Sequence, residues 1–446
     1  MFRTLADAMD ASDDYLMKDT VDFFGTSFYP KLTSPDRDFP LERRALVMDM
    51  VRAVTGDRGF YVGELQAGYG VHGVIAGNPI TPSDLELYTW GLVSRGARAI
   101  NYYAFYPMST GYESGGYGLI NLDGTLTERS RRAGATATRI SAHADLLLAA
   151  RPVQPEVAVV FNPLAPLLGG EQAYGDRRSM HRAVAGYHRM FFERNIPVDF
   201  PSARELTLDS LRRYKLVIVP YPILLTAGMA GTLEQYVAQG GRLFVEARPG
   251  WQDERGHAEP ILPGFGWHKM FGVRETEVLP IKQADVRWGD RRFPGIGFAE
   301  RFEVIDSTAR VVATWDDGQP AAFERAHGKG RALLLGTFAG EHNQQAPIAM
   351  HPLAGALVEW AGLTTSPMRS ASFVEVRRMS ASRGEFLFLF NHNTQAAEVE
   401  YTLPLAAVPS RIVEVVAGEP VKAAGKTLAL KLALPAESVR VFRIEY

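Results

Sequence analysis

Cysteine is absent from this chain of 446 residues. Its absence excludes disulfides, thiolate zinc sites and thiol nucleophiles, and it is typical of a protein from a reducing compartment. No uninterrupted apolar run reaches the length of about 18 residues that a membrane helix needs, and the opening stretch MFRTLADAMDASDDY is acidic and amphipathic, unlike a signal peptide. The sequence therefore predicts a soluble, cytoplasmic protein with no membrane partner.

A surplus of positive charge is also missing. Lys and Arg number 48 against 50 Asp and Glu, which gives a net charge of −2, so a nucleic-acid partner is not expected. Hydrophobic residues make up 46% and charged residues 22% of the chain, values that exclude a disordered or coiled-coil protein. The length favours about two or three domains.

The chain up to about residue 150 alternates strand-like and helix-like patterns. Apolar runs lie at 21–29, 59–66 and 97–106, and helical stretches lie at 3–17, 40–56, 83–95 and 127–149. Pro40 and the capping pattern from Ser83 to Glu86 mark two of the helix starts. Alternation of this kind predicts parallel strands covered by helices.

These strand–helix units are too few for a closed (β/α)₈ TIM barrel, which needs eight strands and about 250 residues. If they are barrel units, they are the last three, because another domain follows them and little chain precedes them. The alternative is a small open sheet. We predict an α/β protein whose first domain, residues 1–150, is the C-terminal part of a TIM barrel.

Two further domains are predicted after residue 150. Residues 151–368 contain short apolar strands and helices typical of an open doubly wound sheet, with strands at 156–161, 215–221, 241–247 and 332–338, and helices at 176–194, 227–239 and 349–362. This domain resembles the class I glutamine-amidotransferase-like (flavodoxin-like) fold, whose chemistry needs a cysteine, so a scaffold for assembly is the favoured interpretation. Residues 369–446 show short alternating strands, which predict a small antiparallel β domain.

Glu64 is the leading candidate for chemistry. It lies near the C-terminal end of an apolar strand in YVGELQAGYG, beside glycines that allow a ligand to approach closely. Active-site residues of TIM barrels lie at such strand ends, and a carboxylate there can act as a nucleophile or as an acid or base. The alternative is a glutamate that is only solvated or ion-paired.

Four more residues are candidates for substrate binding at the same rim. Tyr29 ends the first strand, and a phenol beside a carboxylate can donate to it and favour its ionised form. Glu113, in the loop after the third strand, can accept sugar hydroxyls. His72 lies in the Glu64 loop, and Tyr106 is one of several aromatic residues that can stack on a sugar ring. No metal site or cofactor is predicted, and the GYGVHG segment is rejected as a dinucleotide motif because the next helix starts too late.

The order of these parts resembles glycoside hydrolase family 42, the β-galactosidases with a trimerisation domain. DFFGTSFYP, GFYVGELQAG and GARAINYYAFYPMSTGYESGGYGLINLDG look like barrel strands six, seven and eight, and GLINLDGTLTERSRRAG is similar to the family run G-L-x-x-x-D-G-x-x-T-x-R. The resemblance implies a retaining β-galactosidase and a homotrimer. It places Glu64 at the nucleophile, Tyr29 at its tyrosine contact and Glu113 at a galactose-binding carboxylate.

Three departures from the family pattern limit this expectation. His72 stands where a tryptophan is expected, and Gly116 stands where a histidine is expected. The family acid/base is a glutamate in an Asn-Glu pair on the fourth strand, and no such pair occurs here. We therefore expect the chain to be incomplete as an enzyme and to need an N-terminal barrel segment. The rival hypotheses are a non-catalytic sugar-binding or assembly protein, or a glycosidase with another sugar preference.

Overall fold

The computed structural model describes residues 13–31, 38–165, 179–345 and 347–446. The described chain forms two compact units. Residues 17–154 and 366–446 form the first unit, and residues 13–16 and 155–365 form the second. Of the helix predicted at 3–17, the described part is helical over Asp14–Met17 (α1), and the rest of that prediction lies outside the described residues.

The first unit contains the predicted parallel strands. These three strands form a parallel sheet in the order β1-β2-β5, and two further short strands, β3 and β4, form an antiparallel hairpin that was not predicted. The strands are β1 (Gly25–Phe28), β2 (Phe60–Gln66), β3 (Val71–His72), β4 (Ile75–Ala76), β5 (Ala97–Tyr103) and β6 (Arg151–Pro152). The helices are α2 (Leu41–Thr55), α3 (Pro82–Val93), α4 (Glu128–Ala142) and α5 (Ala144–Ala149).

Two details of these helices differ from the prediction. The capping pattern assigned to Ser83 and Glu86 is wrong, because Thr81 caps α3 and Asp84 completes the reciprocal capping box. Proline stands at the first helical position of α3, which suits its missing N–H and fixed φ. The single helix predicted at 127–149 is divided into α4 and α5 at His143.

The second unit is built on one mixed nine-stranded sheet. Its strands are β7 (Val157–Val159), β8 (Val198–Asp199), β9 (Leu216–Val219), β10 (Arg242–Val245), β11 (Val273–Trp288), β12 (Arg291–Val304), β13 (Arg310–Trp315), β14 (Pro320–His327) and β15 (Gly330–Leu335). The parallel half runs β15-β10-β9-β7-β8, which is the flavodoxin-like order. The sequence prediction of a doubly wound sheet missed the antiparallel half, which runs β12-β11-β13-β14 and pairs with β15.

The helices of the second unit include those predicted from the sequence. They are α6 (Ser179–Phe192), α7 (Leu208–Leu211), α8 (Ala227–Ala238), α9 (Trp267–Phe271), α10 (Gly340–Gln345) and α11 (Pro347–Ala361). Side chains from α8 and α9 pack with those of the parallel strands in a buried cluster, as for Leu233, Trp267 and Val217.

The C-terminal strands complete the first unit. They are β16 (Glu375–Ala381), β17 (Gly384–Asn391), β18 (Ala397–Pro404), β19 (Arg411–Glu414), β20 (Glu419–Pro420), β21 (Thr427–Leu434) and β22 (Ser438–Glu445). An antiparallel sheet runs β20-β19-β22-β17-β16-β6, and β18 pairs with β21. Trp90 of α3 packs against Phe388 of β17, with ring centroids 6.1 Å apart, within a buried apolar cluster. This cluster attaches the helical face of the parallel sheet to the C-terminal sheet.

Candidate active site

Glu64 is held through one oxygen of its carboxylate. Its Oε2 accepts hydrogen bonds from the Ser27 hydroxyl at 3.2 Å and from the Tyr29 phenol at 2.9 Å. No hydrogen bond from the described part of the chain reaches its Oε1. The side chain is half-buried, so its orientation is fixed while one oxygen stays open to a ligand.

The parallel pairing of β1 and β2 explains this contact. Ser27 is the register partner of Glu64 across the two strands. Tyr29 follows two residues after Ser27, and side chains two apart in an extended chain share a face. Both hydroxyl donors therefore lie on the face of the sheet that carries the carboxylate.

Three tyrosines form an aromatic group next to Glu64. The rings of Tyr29, Tyr103 and Tyr117 meet edge to face, with centroid separations of 5.5 to 6.2 Å. Burial and the hydrogen bond to Glu64 raise the pKa of Tyr29 far above its ordinary value. Burial and the charge of Glu113 raise the pKa of Tyr117 to about 12, and the same causes raise the pKa of Tyr103. All three phenols therefore stay protonated at neutral pH and remain hydrogen-bond donors.

Glu113 and His72 join the same group through these phenols. The Tyr103 hydroxyl lies 3.3 Å from Glu113 Oε2, and His72 Nε2 lies 3.8 Å from Glu113 Oε1. The Tyr117 hydroxyl is 3.4 Å from His72 Nε2. We call the connected set the site cluster; its members are Ser27, Tyr29, Glu64, His72, Tyr103, Glu113 and Tyr117.

Tyr106 is placed differently from the other candidates. Its phenol donates to the carbonyl of Leu122 at 2.6 Å, and its side chain is 45% exposed. The structure thus brings Tyr29, Glu64, His72 and Glu113 together. Tyr106 is not part of this cluster, and its phenol instead contacts the loop segment at Leu122. Gly116 has little room for a larger residue, because an added Cβ would lie 3.0 Å from the side chain of Val71.

A polar network holds Lys31, two residues after Tyr29. The Gln66 amide donates to the Lys31 carbonyl at 3.0 Å and accepts from the Lys31 backbone N–H at 3.0 Å. The Lys31 ammonium lies 2.7 Å from Asp84 Oδ2 and lowers the pKa of that carboxyl, although burial opposes this effect. Gln66, two residues beyond Glu64 on the same strand, thereby holds the chain next to Tyr29.

The run GLINLDGTLTER starts helix α4 and joins two loops of the site. Thr127 caps α4 by accepting from the Ser130 N–H at 3.1 Å, and its hydroxyl donates to the Leu119 carbonyl. Arg129 donates to the carbonyls of Ala67 at 3.2 Å and Gly118 at 2.9 Å. Arg129 therefore ties the loop after β2 to the loop after β5, and these two loops carry His72 and Glu113.

Gly68, one of the glycines of the YVGELQAGYG segment, lies against another part of the backbone. A Cβ at this position would lie 2.8 Å from the Tyr117 carbonyl carbon and 2.9 Å from the N and O atoms of Gly118. The close approach that requires glycine here comes from the backbone of the chain itself. Gly68 allows the two loops to pack together, and this packing positions Tyr117.

We expect Gly68→Ala to lower the free energy of unfolding by about 1–3 kcal/mol, because the overlap is with backbone atoms that cannot rotate away. Urea unfolding measures the change. The control is Gly134→Ala in α4, where an added Cβ meets nothing within 4 Å and helix propensity favours alanine. Equal stability of the two variants would contradict the packing role.

Several residues of the site cluster were missed or left without a role by the sequence prediction. Ser27 was missed, although its spacing of two from Tyr29 on a strand was a usable signal. Tyr103 and Tyr117 are among the several aromatic residues that the sequence predicts at this rim, but their contacts with Glu113 and His72 depend on how two loops fold. In the described ranges, no group of three or more His, Asp or Glu side chains could hold a metal ion. Among the helices in those same ranges, none is long and apolar enough to cross a membrane.

Comparison with known proteins shows which family this chain resembles. Residues 2–142 match the glycoside hydrolase family 42 "Beta-galactosidase" domain, and residues 156–368 match the "Beta-galactosidase trimerisation domain". A β-galactosidase of Geobacillus sp. (strain Y412MC61) is 25% identical over 403 residues, which are 86% of this chain and 55% of that protein. A β-galactosidase of Arthrobacter sp. is 25% identical over 390 residues, 85% of this chain and 53% of that protein.

Solved structures share the fold. The β-galactosidase from Bacillus circulans sp. alkalophilus superimposes with a TM-score of 0.79 at 19% identity, over 97% of this chain and 61% of that one. The cold-adapted β-galactosidase from Rahnella sp. R3 superimposes with a TM-score of 0.77 at 19% identity, over 97% of this chain and 62% of that one. The chain spans about half the length of the curated relatives it matches. With both family domains matched in order, the chain belongs to glycoside hydrolase family 42.

Proposed function

We propose that Glu64 is the nucleophile of a retaining glycoside hydrolase that acts on terminal β-D-galactosides. The observation that carries the proposal is the asymmetric environment of its carboxylate. Ser27 and Tyr29 hold Oε2, while no described group hydrogen-bonds Oε1. A nucleophilic carboxylate needs this combination of fixed orientation and one open oxygen.

The proposed reaction has two steps. Glu64 forms a bond to the anomeric carbon as the bond from that carbon to the leaving oxygen breaks, and the leaving oxygen takes the electron pair and a proton from a second carboxyl group. Water then attacks the same carbon, gives its proton to the second carboxylate and releases Glu64. Glu113 and His72 bind sugar hydroxyls in this proposal, and Tyr106 contacts the outer part of the substrate.

The second carboxyl group of a retaining site lies about 5–5.5 Å from the nucleophile. We propose that it belongs to a segment other than these 446 residues, because the sequence has no Asn-Glu pair of the family type. The parallel order β1-β2-β5, with α2, α3 and α4 after the strands, supports the partial TIM barrel proposed for residues 1–150. The chain alone is then a poor catalyst for lactose.

The same proposal covers assembly. The match of residues 156–368 to a trimerisation domain supports a homotrimer, with residues 151–368 as the assembly domain and 369–446 as a C-terminal β domain. A cytoplasmic location remains part of the proposal.

Covalent trapping tests the proposed function. The reagent 2,4-dinitrophenyl 2-deoxy-2-fluoro-β-D-galactoside releases a phenolate that needs no proton, so the step does not require the second carboxyl group. We expect the mass of the 446-residue chain to increase by one fluorogalactosyl group, located by peptide mapping on Glu64.

Other outcomes of the trapping experiment separate the alternatives. Galactoside binding without any mass increase would favour a sugar-binding protein that has no nucleophile. A label on a different carboxylate would contradict the role of Glu64. Rapid hydrolysis of lactose by the chain alone would contradict the proposed division of the two carboxyl groups.

A further inference from the structure

Tyr112 presents a fixed aromatic ring beside the site cluster. Its side chain is 68% exposed, yet the ring stacks on the imidazole of His72, with centroids 5.2 Å apart and planes inclined by 19°. One face of the ring is therefore covered by His72. A large ring left exposed in this way and held by one stacked neighbour can receive a second flat group.

The backbone around Tyr112 limits the movement of this ring. The Tyr112 carbonyl accepts from the Gly73 N–H at 2.8 Å, which joins its loop to the hairpin of β3 and β4. The loop is closed on itself by hydrogen bonds from Gly115 N to the Met108 carbonyl at 2.7 Å and from Gly116 N to the Glu113 carbonyl at 3.0 Å. A ring held in advance loses little conformational entropy when a ligand stacks on it.

Contacts place Tyr112 at the edge of the proposed sugar site. It adjoins Glu113 in the chain, and a path of contacts leads from it through His72, Tyr117 and Tyr29 to Glu64. Glu64 and Glu113 are half-buried whereas Tyr112 is exposed, so a galactose ring held by the two carboxylates lies deeper than Tyr112. The group attached to that ring points outward, toward the exposed end of the cluster.

The two loops that carry His72 and Tyr112 also bear exposed apolar side chains. Val74 and Ile75 on the hairpin are exposed, as is Phe105 after β5. The Tyr112 phenol has no hydrogen-bond partner in the described part of the chain, so it is free to bind a hydroxyl of a ligand. Such a surface suits a group with an apolar face and polar edges, which describes both an aryl ring and the ring of a second sugar.

We propose that Tyr112, backed by His72, is the platform for the leaving group of the glycoside, an aryl ring or the apolar face of a second sugar. This assignment rests on the proposed function, because it takes Glu64 as the point of attack. It makes Tyr112 a specificity-determining residue for the aglycone, distinct from the residues that hold galactose.

Two trapping reagents separate the aglycone from the galactosyl group. The first is 2,4-dinitrophenyl 2-deoxy-2-fluoro-β-D-galactoside, and the second is 2-deoxy-2-fluoro-β-D-galactosyl fluoride, which has no ring on its leaving group. We expect Tyr112→Ala to reduce the labelling efficiency, the rate constant divided by the half-saturating concentration, about 5-fold or more for the aryl reagent. Labelling by the fluoride reagent stays at the wild-type rate, which also shows that the variant is folded.

Matched variants and other outcomes complete the test. Tyr112→Phe keeps the ring, so we expect the wild-type labelling efficiency with the aryl reagent. Val408→Ala removes an exposed apolar side chain outside the site cluster, and we expect it to label as the wild type does. If Tyr112→Ala reduced the labelling efficiency of both reagents equally, Tyr112 would not be a platform for the leaving group. The same conclusion would follow if the labelling efficiency changed with neither reagent. Failure of the wild type to label with either reagent would contradict the proposed function itself, and the platform with it.

Discussion

Glu64→Gln is expected to abolish covalent labelling by the fluorinated aryl galactoside. The amide keeps the size of the side chain and can still accept from Tyr29 or Ser27, but it lacks the negative charge that the proposed mechanism needs for attack on the anomeric carbon. Loss of a catalytic nucleophile lowers rates by about 10³-fold or more. Intact-mass measurement over time gives the labelling rate directly.

Two variants make that result specific. Glu128→Gln changes an exposed carboxylate of α4 that pairs with Arg131, and we expect it to label like the wild type. Tyr29→Phe removes one donor to Glu64 but keeps Ser27, so an intermediate rate, reduced about 10-fold, is expected. If Glu64→Gln and Glu128→Gln label equally, Glu64 is not the nucleophile.

Arg95→Met is expected to lower the free energy of unfolding by about 3–5 kcal/mol, because it removes one of the two buried guanidinium groups that neutralise Asp49 and Glu375. The Arg95 side chain, which is 1% exposed, donates to Asp49 at 3.1 Å and to Glu375 at 2.6 Å. Arg377 contacts the same two carboxylates at 2.6 and 2.8 Å. This buried network joins α2 and the end of α3 to strand β16.

The network also predicts the sign of a pH effect. Although burial opposes it, the charges of Arg95 and Arg377 and the contact with His392 hold the pKa of Glu375 far below its ordinary value. The contribution of Glu375 is therefore fully present above the pKa of an unfolded glutamate, about 4.3, and is lost as the pH falls toward the lowered folded pKa. Arg95→Met is expected to flatten this acid-dependent loss of stability.

Urea unfolding at neutral pH and at a pH below about 4, inside the window where the lowered pKa of Glu375 acts, measures both effects. Arg131→Met is the control, because Arg131 pairs with Glu128 on the exposed surface and such pairs contribute less than about 1 kcal/mol. Equal unfolding free energies for the two variants would show that the buried network does not stabilise the first unit.

The parallel strands and their ends could be predicted from the sequence because short apolar runs dictate them. The runs at 21–29, 59–66 and 97–106 contain β1, β2 and β5, and this places Tyr29, Glu64 and the loop of Glu113 at one edge of the sheet. The contact between Tyr29 and Glu64 follows from that local order, since parallel neighbours bring their carboxyl ends together.

Contacts between distant segments could not be predicted in the same way. Arg95 and Glu375 are 280 positions apart, and no local pattern pairs them. The stacking of Tyr112 on His72 likewise depends on the folded form of two loops. The local capping of α3 was predicted wrongly at Ser83 and Glu86, because the helix begins two residues earlier, with Thr81 as its cap and Pro82 at its first position.

The strands β11 and β12 were missed for a different reason. Most of their side chains are exposed or half-buried, so neither strand shows the buried apolar run that identified β9 or β10. They pair with each other along a long antiparallel ladder. Strands of this kind have no continuous apolar run in the sequence that would mark them.

A crystal structure of the chain after reaction with the fluorinated aryl galactoside shows whether Glu64 is the nucleophile. We expect a covalent bond from Glu64 Oε1 to the anomeric carbon, with Tyr29 and Ser27 still hydrogen-bonded to Oε2 and Glu113 in contact with sugar hydroxyls. A sugar bonded to another side chain, or bound with Glu64 turned away from it, would show that Glu64 does not attack the sugar.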